Sequence, residues 1–219
     1  MENARVVVEP NGKFPRFLRV TYPAGSVSPS TAKSGRAPLG GVQFEADLGL
    51  EPRDALDLRY AVRFAPGFDF VKGGKLPGLF GGVMRSGGNV PSGADGFSTR
   101  FMWRRHGDGE VYAYLPSSAA YGISLGRAAW RFRPQVWQRL EQEVTLNTPG
   151  RKDGRIRVWI DDQLVLDLTH LEFRSDGKLK IEGIFFSTFF GGHDLSWATP
   201  RTTHIDFADF AVRERNRGP

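Results

Sequence analysis

The sequence predicts an all-β fold: a single-domain antiparallel β-sandwich, a jelly roll, spanning residues 1–219. Three observations carry that prediction. Many short runs alternate apolar and polar residues, the period of two that sends neighbours to opposite faces of a sheet. The 27 Gly and 14 Pro punctuate those runs where turns are needed. No stretch reads as a long helix, an internal repeat or a domain linker, and 219 residues suffice to bury a substantial core.

Taken in order, Arg16–Tyr22 (RFLRVTY) reads as the first strand, and residues 23–40, rich in Gly, Ser and Pro, as a long surface loop. Residues 41–48 (GVQFEADL) and 56–64 (LDLRYAVRF) alternate cleanly. In the second, Leu56, Leu58, Tyr60, Val62 and Phe64 share one face, with Asp57, Arg59 and Arg63 on the other. Residues 65–96 read as a second long irregular segment. Within it, the glycines of GGKLPGLFGG leave Lys75 on a tightly shaped loop. Residues 97–115 (FSTRFMWRRHGDGEVYAYL) read as a hairpin turning at His106-Gly107-Asp108-Gly109. Centring it on Gly107 pairs Arg104 with Glu110, Met102 with Tyr112 and Arg100 with Tyr114. The opposite charges at the first pair favour that register by a few tenths to about 1 kcal/mol. One face then carries Ser98, Arg100, Tyr112 and Tyr114, and the other is apolar.

Further strands follow at 138–147, with Leu140, Gln142, Val144 and Leu146 on one side, and at 155–161 and 163–168, a hairpin over Asp161-Asp162. Residues 184–190 (IFFSTFF) are apolar almost throughout and should be buried on both faces. Residues 191–200 read as a loop, 203–212 (THIDFADFAV) as the strand that closes the sheet, and 213–219 as a disordered tail. The total is about a dozen strands.

Composition narrows the function. Without cysteine there is no disulfide framework and no thiolate metal site. A net charge of +6 suggests a polyanionic partner. The Lys and Arg are scattered rather than run together, which disfavours nucleic acid. No apolar run approaches the length of a membrane span, so no membrane partner is expected. His106, His170, His193 and His204 lack ligand spacing, and Asp153, Asp161 and Asp162 sit in turns, where Asp is common for local reasons. No phosphate loop, dinucleotide fingerprint or GxSxG elbow stands out.

The face shared by Arg100 and the two phenols has a bland reading, a solvated outer surface. It also has a reaction that uses all its members. β-Elimination on a uronate polymer removes the C5 proton beside the carboxylate and expels the C4 oxygen. A cation at the carboxylate then stabilises the transition state more than the ground state. Arg100 and Lys75 are candidates for that cation, and Tyr112 or Tyr114 for proton transfer, with the cations lowering the phenol pKa. The chemistry requires no cofactor, so none is expected.

Four segments, GGKLPGL (73–79), FSTRFMWR (97–104), VYAYL (111–115) and FSTFFGGHDLSWA (186–198), resemble polysaccharide lyase family 14 in the right order. YPAGSVSPS and RIRVWIDDQLV fit as well. That family comprises alginate and glucuronan lyases with a β-jelly-roll fold. The resemblance implies that the catalytic lysine falls on Lys75, the serine and arginine on Ser98 and Arg100, and the two tyrosines on Tyr112 and Tyr114. Ser98 is expected to orient substrate, and Gln43, His193, Asp194 and Trp197 to line the cleft. The expected function is cleavage of a β-1,4-linked polyuronate by a monomer. The alternatives are a lectin-like sandwich binding anionic glycans and a glycoside hydrolase using carboxylates such as Glu141/Glu143 or Glu45/Asp47. The opening MENARVVVEPNG lacks a secretory leader pattern; the expected location is extracellular, with the leader trimmed.

Overall fold

The computed structural model describes residues 2–47, 49 and 51–214. Its elements are β1 (Ala4–Val8), β2 (Arg16–Tyr22), α1 (Pro29–Lys33), β3 (Val42–Asp47), β4 (Ala55–Phe64), β5 (Gly73–Gly82), β6 (Gly96–Arg104) and β7 (Asp108–Tyr114). They continue as β8 (Ile123–Arg131), β9 (Gln138–Thr145), β10 (Gly154–Ile160), β11 (Gln163–Leu171), β12 (Gly183–Phe190) and β13 (Thr203–Glu214). Two antiparallel sheets form a sandwich. One has seven strands in the order β1-β2-β13-β4-β9-β10-β11, and the other six in the order β3-β12-β5-β6-β7-β8.

Apolar alternation places the core as expected. Leu56, Leu58, Tyr60, Val62 and Phe64 from the larger sheet meet Leu79, Phe97, Phe101, Trp103, Val111 and Ala113 from the smaller, all buried. Each large side chain withdrawn from water contributes roughly 1.5–3 kcal/mol. Two polar links cross this apolar layer. Thr99 donates to Gln142 Oε1 at 2.7 Å, and Tyr60 OH donates to the Pro77 carbonyl at 3.0 Å. Both satisfy groups that would be costly to bury alone.

Several expectations are corrected. Residues 73–82 are not a loop but β5, an interior strand paired with β12 on one side and β6 on the other. Its glycines are required by close approach. A Cβ at Gly78 would lie 2.1 Å from the Thr99 carbonyl oxygen, and one at Gly74 2.0 Å from the Trp103 ring. Residues 23–40 include α1, capped by the Ser28 side chain, and bury Ser26, Val27, Ser28 and Thr31, so they are not a plain surface loop. β13 does not close a sheet; it lies between β2 and β4. Arg213 and Glu214, read as tail, continue β13, and the rest of that tail expectation (215–219) lies outside the described residues, as does Leu48. Strands β1 and β8 were not anticipated. β8 carries left-handed residues at Gly126 and Ala128 and pairs with β7 through a register shift, which scrambles its alternation.

Candidate active site

The site lies on the face of the six-stranded sheet turned away from the core. β6 and β7 pair Ser98 with Tyr114, Arg100 with Tyr112 and Met102 with Glu110. That register is displaced by two residues from the one centred on Gly107. The chain reverses through a tight turn at Arg105–Gly107 in which His106 has φ 60° and Gly107 φ 83°. The Gly107 carbonyl accepts from Phe132 N at 2.7 Å. A slip of two keeps every side chain on its face, so Ser98, Arg100, Tyr112 and Tyr114 remain together. The Arg104–Glu110 pair survives as a diagonal contact, Nη2 to Oε1 at 2.7 Å, with Ser124 Oγ donating to the same oxygen at 3.0 Å.

Lys75 joins this group from β5. It pairs with Met102 on β6 and Phe189 on β12, just before a register shift in both ladders. The Tyr60 hydroxyl, reaching across the core to Pro77, ties down that irregularity. The Lys75 ammonium donates to Met102 Sδ at 2.8 Å and lies 3.7 Å from the centre of the Tyr112 ring. The side chain of Arg100 is buried, with its guanidinium 4.7 Å from the Phe185 ring centre. Its Nη1 donates to Ser187 Oγ at 3.1 Å, and Ser187 donates on to Gln43 Oε1 at 3.3 Å. Among the described residues, no carboxylate pairs with Lys75 or Arg100.

Burial without a counter-ion sets the proton affinities. Desolvation, reinforced by Arg100 and Arg104, holds the Lys75 amine well below its usual value of 10.5. Burial lowers Arg100 to about 10, which leaves it cationic at neutral pH. Burial, reinforced by Tyr114, pushes Tyr112 up to about 12 against the opposing pull of Arg104 and Arg100. The expectation that neighbouring cations lower this phenol is therefore corrected: desolvation outweighs them.

Of the other expected residues, Ser98 and Tyr114 are in place, with further duties. The Ser98 hydroxyl donates to the Arg85 carbonyl at 2.6 Å, and Tyr114 OH accepts from Gly88 N at 3.1 Å. Both tie the 83–95 loop to the site. Gln43 connects through Ser187. His193, Asp194 and Trp197 stand apart: no hydrogen bond, ion pair or ring contact joins them to Lys75, Arg100, Tyr112 or Tyr114 among the described residues. His193 instead stacks on Tyr121 with centroids 6.5 Å apart, and Asp194 caps its own turn by accepting from Ser196 N at 2.8 Å. Ser187 and Ser124 were missed, and Met102 and the Arg104–Glu110 pair, read from sequence only as cross-strand contacts, adjoin the site. For Ser187 a signal was available: with Thr188 it interrupts an otherwise apolar run, IFFSTFF.

The site thus brings two buried basic side chains without a carboxylate partner among the described residues beside two phenols, on a β-sandwich. The chain matches the family model Polysaccharide lyase 14 over residues 11–210. It belongs to that family and is a polysaccharide lyase. Similar solved structures include the marine PL-14 alginate lyase from Aplysia kurodai, at 34% identity over 98% of this chain and 88% of that one, with a TM-score of 0.83. The alginate lyase vAL-1 from Chlorella virus is 25% identical over 97% of this chain and 89% of that one, with a TM-score of 0.81. The endo-β-1,4-glucuronan lyase from the fungus Trichoderma reesei shares the fold, with a TM-score of 0.62 at 11% identity over 95% and 85% of the two chains. No curated protein matches the chain.

Proposed function

We propose that this lyase cleaves β-1,4-linked polyuronate, with mannuronate or glucuronate residues favoured over guluronate, by β-elimination. What supports this reading is the contact of Lys75 with Tyr112, the nitrogen 3.7 Å from the phenol ring centre, where burial pushes the proton affinity of the lysine down and that of the tyrosine up. Such a split assigns base and acid. Lys75 Nζ, which burial shifts towards the free amine, takes the C5 proton. Electrons move into the C4–C5 bond and through it expel the C4 oxygen, which receives the Tyr112 hydroxyl proton. Arg100, held by Ser187, faces the carboxylate where negative charge builds.

This assignment revises the division of labour expected from sequence, in which a tyrosine was the base and Lys75 shared the carboxylate with Arg100. An amine pushed towards its neutral form is a weak partner for a carboxylate, and a phenol pushed up to about 12 is a poor base but a serviceable acid. Because Lys75 and Tyr112 approach from one place, base and acid reach the same side of a ring. Mannuronate and glucuronate, which differ only at C2, both present the C5 proton and C4 oxygen on one side; guluronate, inverted at C5, presents them on opposite sides.

The family membership and the alginate lyases among similar structures support the substrate class. The test is to mix the protein separately with polymannuronate, polyguluronate, glucuronan and hyaluronan and follow the ultraviolet absorbance of the unsaturated product. Faster growth on polymannuronate and glucuronan than on polyguluronate is expected. Binding with no rise in absorbance would replace this reading with a lectin, and reducing sugar without absorbance would replace it with a hydrolase.

A further inference from the structure

A second concentration of cations lies on the opposite side of the molecule, on the outer face of the seven-stranded sheet. One rung of β1, β2, β13 and β4 places Arg5 opposite Arg19, Arg19 opposite Asp206 and Asp206 opposite Arg63. Asp206 is 1% exposed and takes both guanidinium forks: Arg19 through Nε at 2.7 Å and Nη2 at 3.0 Å, Arg63 through Nε at 3.1 Å and Nη2 at 2.8 Å. Glu9 reaches Arg63 at 3.4 Å. Three guanidinium groups thus share two carboxylates, and the Nη1 of both Arg19 and Arg63 makes no hydrogen bond among the described residues. Arg5, exposed and directly across from Arg19, has no ion pair there either.

Like charges placed opposite each other across a ladder are destabilising, and here Asp206 compensates Arg19 but no ion pair among the described residues compensates Arg5. Beside the rung is a cavity of about 370 Å³ lined by Arg19, Arg63, Pro66, Gln135, His204 and Asp206. That volume suits a single sugar residue. His204, half-buried next to these arginines, is held below its usual value by burial first and then by Arg19, so it enters the cavity as a neutral donor or acceptor.

We propose that this cavity is a second, non-catalytic site for a uronate residue of the polymer, whose carboxylate meets the free N–H groups of Arg19 and Arg63 beneath Arg5. Guanidinium N–H pairs match a carboxylate in geometry as well as charge. The choice of a uronate rests on the function proposed above. The site would hold the enzyme on its polymer while the cleft works, a gain in effective concentration without any new contact at the reacting bond.

The test uses the full chain silenced by Lys75→Met and Tyr112→Phe. Trimannuronate, neutral mannotriose and inorganic phosphate are titrated in separately while the His204 ring signals are followed by NMR. Trimannuronate is expected to move those signals saturably and mannotriose to leave them still, with Arg5→Glu, a surface change away from the cleft, weakening the response about tenfold. In the otherwise wild-type chain, Arg5→Glu should leave cleavage of a short oligomer unchanged and slow cleavage of long polymer at low concentration. Still His204 signals with trimannuronate would overturn the proposal. A response to phosphate alone would overturn the uronate assignment and leave a simple anion site. If the wild-type chain yields no unsaturated product while His204 still responds to trimannuronate through Arg5, the cleavage reading fails and this site stands.

Discussion

The two outer faces of the sandwich are both rich in cations, yet they treat them in opposite ways. On the β9-β10-β11 side of the larger sheet each arginine meets a carboxylate: Arg157 on Glu143, Arg155 on Asp167, Arg139 on Asp162 at 3.0 Å. On the smaller sheet Lys75 and Arg100 are more deeply buried, and no carboxylate among the described residues pairs with either. A buried charge without a partner opposes folding, whereas a paired one is close to neutral or modestly favourable. The paired set therefore serves the fold. On the function proposed above, the unpaired set serves the substrate instead: Arg100 its negative charge and Lys75 its C5 proton.

That contrast can be broken at four points, the largest effect first. Lys75→Met should reduce kcat by about 10³–10⁴, the upper range for a removed acid–base group, while leaving the fold intact or raising Tm by about 2–4 °C. A stable variant with near-normal turnover would return Lys75 to a structural role. The same residue sets the pH profile. Only the free amine accepts a proton, so the rate should rise with pH through the lowered Lys75 value and hold until Tyr112 ionises at about 12. A fall near pH 10, the ordinary phenol value, would move the acid role elsewhere. The stability follows with the same sign. Between its lowered folded pKa and 10.5 the unfolded chain binds the proton that the folded chain lacks, so wild type should gain stability over Lys75→Met as pH rises through that window.

Arg100→Met should lower kcat/KM by about 10²–10³, as for other lost transition-state electrostatic partners, without destabilising the protein. The two tyrosines should then separate. Tyr112→Phe is expected to lose about 10² in kcat, within the usual range for a general acid. Tyr114→Phe should lose less, about tenfold, because its oxygen already accepts from Gly88 and its removal acts through the loop. Equal losses would merge their roles. The control comes from the other face. Arg157→Met should leave kcat unchanged and destabilise by about 1–3 kcal/mol, read from denaturant midpoints. A loss of activity there would undo the division between the two faces.

How much of this was legible in the sequence follows from what alternation can encode. Strands such as β4 and the β6–β7 pair, with side chains of strongly different polarity on their two faces, were readable, and the active hairpin's face survived a two-residue error in its register. β5 was not readable, because five of its ten residues are glycine and carry no facing information; a central strand looked like a loop. The same blindness put Lys75 on a tightly shaped loop rather than on a central strand. The edge strand β8 was lost to its left-handed Gly126 and Ala128. Ser187 was hidden inside a run whose apolar character was the louder signal. The direction of the Tyr112 shift could not be seen either, since sequence shows which charges are near but not how much water has been removed.

The glycine-lined β5 has a consequence for anyone who would retool this enzyme. At Gly74, Gly78 and Gly81 an added carbon would collide with a neighbouring ring or carbonyl at 2.0, 2.1 and 1.8 Å. The strand that carries Lys75 therefore offers selection almost no variants to sample. A change of appetite from one polymer to another has to be written into the rim, such as the 83–95 loop that Ser98 and Tyr114 hold, while the bed beneath it stays as it is.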